Sequence, residues 1–319
     1  MRRVAAGLNL ALCMVQACAQ SWPARPIRMI VPALAGSAAD VRGRWVADRL
    51  AVALKQPVTL DFRAGAGGSI GTEAGARSPP DGYTLLFVHQ GTLAINPHLY
   101  ARPGYDALAD FAPVTRVSQN PFLLASAMNL PAKSIGELMR LAQERPGELT
   151  FGSPGNGTPP HLAGELFARV AGIKVRHVPY KSGSQTITDL IAGHIGYSFD
   201  TLAIQLPHVK AGKVRALATT AAQRSAAVPD APTLAESGLR DFEYVSWMGV
   251  VVPAATPRPI VERLNAEILA IMRTPETRDW LAAQGAEPGL DTPEEFAAVI
   301  RAEHAKLGRV IRDAGIRIE

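Results

Sequence analysis

An α/β fold with two lobes is what this sequence predicts, and three observations predict it. Short apolar strand-like runs alternate with helix-like segments along most of the 319 residues. Three strand-to-helix junctions are rich in glycine: 32–40 (PALAGSAAD), 63–71 (RAGAGGSIG) and 152–161 (GSPGNGTPPH). Two long extended stretches, 111–125 and 242–252, read as crossovers that leave one α/β unit, enter a second and return. Two units joined in this way make a hinge around a cleft. The glycine-rich loops of both would face that cleft and grip a small molecule as it closes.

The elements follow in order. Residues 27–31 (IRMIV) form a buried strand. Asp40 lies near the start of the next helix, placed to cap it or to fix the loop before it. Val41, Trp45, Leu50 and Leu54 give that helix an apolar face. Residues 58–60 form a second strand, 70–76 a helix and 83–88 (YTLLFV) a third strand after the Asp81-Gly82 turn. This order implies parallel strands with right-handed crossovers. Segment 89–100 leaves the C-terminal end of the third strand, where open α/β sheets place ligands, so Gln90 and Thr92 are candidate contacts.

Ser134 with Glu137 is a capping box opening a helix to about residue 144, which Pro146-Gly147 ends. In the second unit, strands over 149–151, 175–178, 195–199 and 214–219 alternate with helices over 161–171 and 185–192. After the second crossover, Thr256-Pro257 starts a helix through about 272, and 276–283 forms another. A Thr292/Glu295 capping box with Pro293 opens the last helix, whose apolar face carries Phe296, Val299, Ile300, Leu307, Val310 and Ile311. Lobe I is expected to comprise 20–122 with 245–319, and lobe II 123–244.

The loop at 63–71 is the centre of this reading. Four glycines in nine residues leave the backbone bare and permit positive φ, so successive N–H groups can converge. Together with the partial positive charge at the next helix start, they make a place for an anion: carboxylate, phosphate or sulfate.

Hydrophobic residues make up 47% and charged residues 19%, which supports a sizeable core. Net charge is +5; the first 19 residues hold Arg2, Arg3 and no acid, so the remainder carries +3. There is no basic stripe interleaved with aromatics, and nucleic-acid binding is unsupported. The N-terminus reads as a cleavable signal peptide over 1–19: Arg2 and Arg3, an apolar run from Val4 to Val15 broken by Asn9, and the small-residue site Ala17-Cys18-Ala19. A lipoprotein modified at Cys18 is the alternative, with a poor lipobox. The expected location is the periplasm. Both cysteines, Cys13 and Cys18, fall in this leader, which excludes a disulfide framework and thiol catalysis in the mature chain.

Ordered motifs run nearly end to end: WPARPIRMIVP (22–32), GAGGSIGTE (65–73), PDGYTLLF (80–87), AINPHLY (94–100), DFAPVT (110–115), GSPGNGTPPHLAGELF (152–167), HVPYKSG (177–183), PDAPTLAESGL (229–239) and VPAATP (252–257). With these the chain resembles the solute-binding components of tripartite tricarboxylate transporters, the Bug or TctC receptors. The resemblance implies a type II periplasmic-binding-protein fold and capture of a small carboxylate (a di- or tricarboxylate, an aromatic acid or an amino acid). The implied partners are the permease subunits of such a transporter, and a monomer is expected. Carried onto this chain, it implies first-lobe contacts at Gly36, Ser37, Ala66, Gly67 and Gly68. The second-lobe contacts would be Ser153, Gly157, Thr158, Ser184 and Asp200. The chain departs from the family pattern at Ala33, at Gly36-Ser37 and at Phe62-Arg63-Ala64-Gly65. Asp200 suits an ammonium group better than a dianion, or it caps the next helix.

An enzyme reading finds little. No G-x-S-x-G elbow and no P-loop is present, and Gly65, Gly67 and Gly71 are one residue out of step with a dinucleotide fingerprint. The seven histidines show no metal-ligand spacing, so neither a metal nor another cofactor is expected. His161, beside the third loop, is a candidate for ligand or supporting contact. A receptor that loads a ligand and signals to a membrane sensor kinase is the alternative function.

Overall fold

The structure is a computed structural model that describes residues 22–240 and 242–316; the leader expected over 1–19, with both cysteines, lies outside the described residues. Strand β1 (Ile27–Val31) is buried on both faces except at Arg28, which is why it reads as an apolar run with one interruption. It pairs in parallel with β2 (Val58–Phe62) and β3 (Thr84–His89). Helices α1 (Ala38–Leu54) and α2 (Ser69–Ala76) make the crossovers. A π-helical turn over Gly91–Ile95 and the short α3 (Asn96–Leu99) follow.

The face of α1 is rotated from the expected one. Val41 is exposed, while Val46, Ala47, Leu50 and Leu54 are buried. Gly43 lies on the buried side, where a Cβ would make ordinary contact with Val31 at 3.5 Å and Phe87 at 3.7 Å. Trp45 lies at the edge, where it stacks on Trp280 at 4.0 Å and donates from Nε1 to Thr277 at 3.2 Å.

The first crossover is a single strand, β4 (Phe111–Ala127). It is followed by α4 (Ile135–Glu144), β5 (Thr150–Ser153), α5 (Pro159–Ala171), β6 (Arg176–Pro179), α6 (Gly183–Ala192), β7 (Tyr197–Thr201), α7 (Leu202–Lys210) and β8 (Val214–Thr219). The second crossover is β9 (Val245–Pro253), and α8 (Arg258–Met272), α9 (Pro275–Ala282) and α10 (Pro293–Asp313) close the described chain. The strand order is β2-β1-β3-β9-β4-β7-β5-β6, with β8 also on β4. Residues 111–121 of β4 pair with β9, and 122–127 pair with β7 and β8, so this strand runs through both lobes. Two α/β lobes joined by two crossovers are therefore observed.

Capping is mixed. Thr292 and Glu295 form the expected reciprocal box. Ser134 accepts from the Glu137 N–H, but the Glu137 carboxylate reaches past Ser134 to the Lys133 N–H at 2.6 Å. Helix α7 was not expected, because Pro207 inside it masks the helical period. Helix α10 spans the lobes. Phe296 and Ile300 pack with Trp247 in one apolar cluster, and Leu307, Val310 and Ile311 join Phe122, Leu162 and Phe167 in another.

Candidate ligand cleft

The first two loops meet at the C-terminal ends of β1, β2 and β3. Asp40 fixes the first of them: its Oδ2 accepts from the Gly36 N–H at 2.8 Å, while Ser37 Oγ accepts from the Asp40 N–H at 3.2 Å. The Ser37 hydroxyl is thus the N-cap of α1. In the second loop Gly65, Ala66, Gly67 and Gly68 all have positive φ, and Ala66 holds φ 47° despite its side chain. The Gly68 N–H returns to Gly65 O, whereas the Ala66 and Gly67 N–H groups bond to no described residue. Gly68 is locked between loops, since a Cβ there would stand 2.8 Å from the Pro32 carbonyl. Gly36, Ala66 and Gly67 are exposed.

Gln90 and Thr92, expected as contacts, are fully buried and structural. Gln90 donates to Val245 O and Glu303 and accepts from Tyr244, and Thr92 donates to His89 O. His89 continues the Leu85, Phe87 face of β3, and its ring lies against Gly68 and Gly91. The ring makes no hydrogen bond to a described residue, and burial pushes it down to about 4, so it is neutral at pH 7.

In the second lobe, Ser153 is fully buried, and its hydroxyl is engaged with His177 Nε2 at 2.7 Å and with both backbone groups of Gly155. The Gly157 N–H donates to His161 Nδ1 at 3.0 Å. His161 stacks on His177 at 3.8 Å, so two imidazoles form the floor of the third loop. Burial, with His161 alongside, pushes His177 down to about 3. Thr158 donates to Gly155 O and precedes Pro159 and Pro160, which supply no N–H at the start of α5. Asp200 does not cap α7. Its Oδ1 accepts from the Thr201 N–H at 2.7 Å, and Oδ2 is buried without a partner, so burial pushes the acid up to about 6. Ser184 is set apart, on an outer depression with Tyr180, Gln185, Thr188 and Asp189.

A cleft of about 370 Å³ lies between the lobes. Ala38, Arg42, Ser246 and Met248 line it from one side; Pro159, Thr201, Ala203 and Ile204 line it from the other. The N-terminal ends of α1, α5 and α7 therefore open onto one space, and neither α5 nor α7 has a side-chain cap. Arg42 is the largest omission from the sequence reading. The signal was present: Ala39, Gly43, Val46 and Leu50 mark the buried side of α1, and Arg42 lies on it.

The chain matches the family described as "Tripartite tricarboxylate transporter family receptor" over residues 43–316. It is 35% identical over 302 residues to Protein BugT of Bordetella pertussis, covering 94% of this chain and 93% of that protein. It is 36% identical over 314 residues to a UPF0065 protein of Pseudomonas sp. strain P51, covering 97% and 93%. Among solved structures, R. palustris Rpa4515 with adipate is 34% identical, with a TM-score of 0.77 over 93% of this chain and 100% of that one. MatC from Rhodopseudomonas palustris with bound malate is 28% identical, with a TM-score of 0.73 over 91% and 99%. A TctC solute-binding protein from Polaromonas is 28% identical, with a TM-score of 0.83 over 92% and 99%. With the family match and the two-lobed fold in agreement, this chain belongs to the tripartite tricarboxylate transporter receptor family and is a solute-binding receptor, not an enzyme.

Proposed function

We propose that the protein captures a small carboxylate between its lobes in the periplasm and delivers it to the permease subunits of a tripartite tricarboxylate transporter. The observation that carries this reading is the convergence of the N-terminal ends of α1, α5 and α7 on one interlobe cleft. The start of α7 has no side-chain cap and presents partial positive charge. Helix α5 lacks N–H groups at Pro159 and Pro160, and Asp40 offsets the start of α1, so α7 contributes most to a preference for an anion. The unpaired N–H groups of Ala66 and Gly67 extend the same preference along the second loop. Relatives solved with adipate and malate support a carboxylate of that size. In this reading Gly36, Ala66, Gly67 and Thr158 contact the ligand. Gly68, Ser153 and Gly157 hold the loops, Ser37 caps α1, and Asp200 meets a ligand group able to donate.

The test is thermal unfolding of the protein against dicarboxylates, tricarboxylates, aromatic acids and amino acids. A ligand at 100 times its Kd stabilises by about 2.7 kcal/mol, a shift of several degrees. Mass spectrometry of denatured protein detects a ligand carried through purification. No shift with any acid, from protein shown to be empty, would remove the carboxylate reading. Scattering should also show a smaller radius of gyration once the cleft is filled; an unchanged radius at saturation would count against closure.

A further inference from the structure

Helix α1 carries a cation on its buried side. Arg42 is 7% exposed. Its Nη1 lies 3.5 Å from the Met248 sulfur, and its Nε has no hydrogen-bond partner. No carboxylate among the described residues forms an ion pair with it. The nearest acid on its own helix, Asp40, is taken by Arg44 at 2.9 Å and by the Gly36 N–H at 2.8 Å. Burial pushes Arg42 down to about 10, which leaves it charged at neutral pH. An ion removed from water needs a counter-charge, and a thioether is a weak substitute.

The surroundings show where the counter-charge would come from. Arg42 borders the interlobe cleft, with Ala38 and Met248 beside it and Thr201 and Ala203 across from it. The two residues opposite are the N-cap and the first turn of α7; the Thr201 N–H is held by Asp200 Oδ1, while the N–H groups of the first turn lack a side-chain cap. An anion placed between them would meet a guanidinium on one side and a helix start on the other. A guanidinium also offers two parallel donors that match the two oxygens of a carboxylate.

We propose that Arg42 is the counter-ion of the ligand's carboxylate and the main reason this receptor selects small organic acids. The inference rests on the cleft being the ligand site. It also makes Arg42 a residue kept at the expense of stability, because the empty protein holds its charge unpaired.

The experiment uses the full chain, the Arg42→Met and Arg42→Lys variants, and adipate and malate as probes. Calorimetric titration gives affinity, and thermal unfolding without probe gives stability. The Met variant should bind each probe that the parent binds on the order of 100-fold more weakly, while melting no lower than the parent. The Lys variant, which keeps the charge and loses the planar fork, should fall between them. Parental affinity in the Met variant would overturn the role of Arg42 and leave the receptor reading standing. A Met variant that loses affinity and also melts several degrees lower would make Arg42 a structural residue and overturn the proposal. A parent that binds neither probe nor any other small carboxylate would overturn both readings.

Discussion

A Cβ added to Gly183, in the first turn of α6, would stand 2.6 Å from Asp200 Oδ2, the oxygen at the end of β7 that no donor satisfies. Burial dominates there and raises the acid from 3.8 to about 6. Between those values the folded protein keeps a proton that the unfolded chain has released. Stability therefore falls as pH rises through this window, and the full penalty stands above pH 6. Asp200→Asn should raise the melting temperature at pH 8 and do so much less at pH 4. The difference corresponds to at most about 3 kcal/mol. An equal effect at both pH values would show that Oδ2 is satisfied in solution.

The imidazoles act with the opposite sign. His89 and His177 sit at about 4 and about 3, below the ordinary 6.5, because burial disfavours their charged forms. As pH falls below 6.5 the unfolded chain takes up protons that the folded protein refuses, so stability is lost down to about pH 3. Asp200→Asn removes the opposing contribution, so denaturant melts of that variant at pH 7 and pH 4 read the buried imidazoles, with His98 and His304, which burial also lowers, adding the same sign. We expect a lower midpoint at pH 4, and no change would show that burial does not hold these rings neutral.

Adjacent glycines in the second loop should behave differently. At Gly67 a Cβ would meet only side-chain ends, Asn96 and Tyr100 at 3.2 Å, although φ is +62°. Gly67→Val should fold with a melting temperature a few degrees lower and bind adipate or malate at least 10-fold more weakly, because its side chain blocks approach to the backbone. At Gly68 the obstacle is the Pro32 carbonyl at 2.8 Å with φ +96°. Gly68→Ala should lose about 2–4 kcal/mol of stability. Titration and melting of both variants check this, and the reverse order would exchange their assigned roles.

Asp291 ties the strand to the last helix. Its carboxylate accepts two bonds from Arg116, at 2.5 and 2.7 Å, and both side chains are largely buried. Its carbonyl also accepts from Thr115 and Asn265. Asp291→Ala strands Arg116 and should lose about 3–5 kcal/mol in urea unfolding. A loss under 1 kcal/mol would mean that Arg116 finds another partner.

The repeating parts of this molecule were legible in its sequence, and the exceptions mark where tertiary contact overrides local signals. IRMIV and TLLFV are legible as strands because both faces of the first-lobe sheet are covered, which leaves mostly apolar runs with only Arg28 and Thr84 polar. The second capping box was legible because its bonds are local. Helix α7 was not, since Pro207 breaks the pattern that burial restores. Trp45 packs at the margin of the first-lobe core as its spacing suggests, but its stacking partner, Trp280, lies 235 residues away in sequence and is not legible locally. Arg42 and His89 are hidden in the sequence for one shared reason: each stands in phase with apolar neighbours, and only the fold shows that no carboxylate pairs with Arg42 and that burial holds His89 neutral.

Helix α10 fixes how the two lobes can move. One end is seated by Phe296 and Ile300, and the other by Leu307, Val310 and Ile311 in an apolar cluster that joins Ile95 and Leu99 of the first lobe to Leu162 and Phe167 of the second. Separating the lobes with both seats kept would bend a 21-residue rod. Freeing one seat would wet three apolar side chains. Either displacement is uphill, so the helix acts as a strut that keeps any opening narrow, and the lobes pivot about it rather than swing wide.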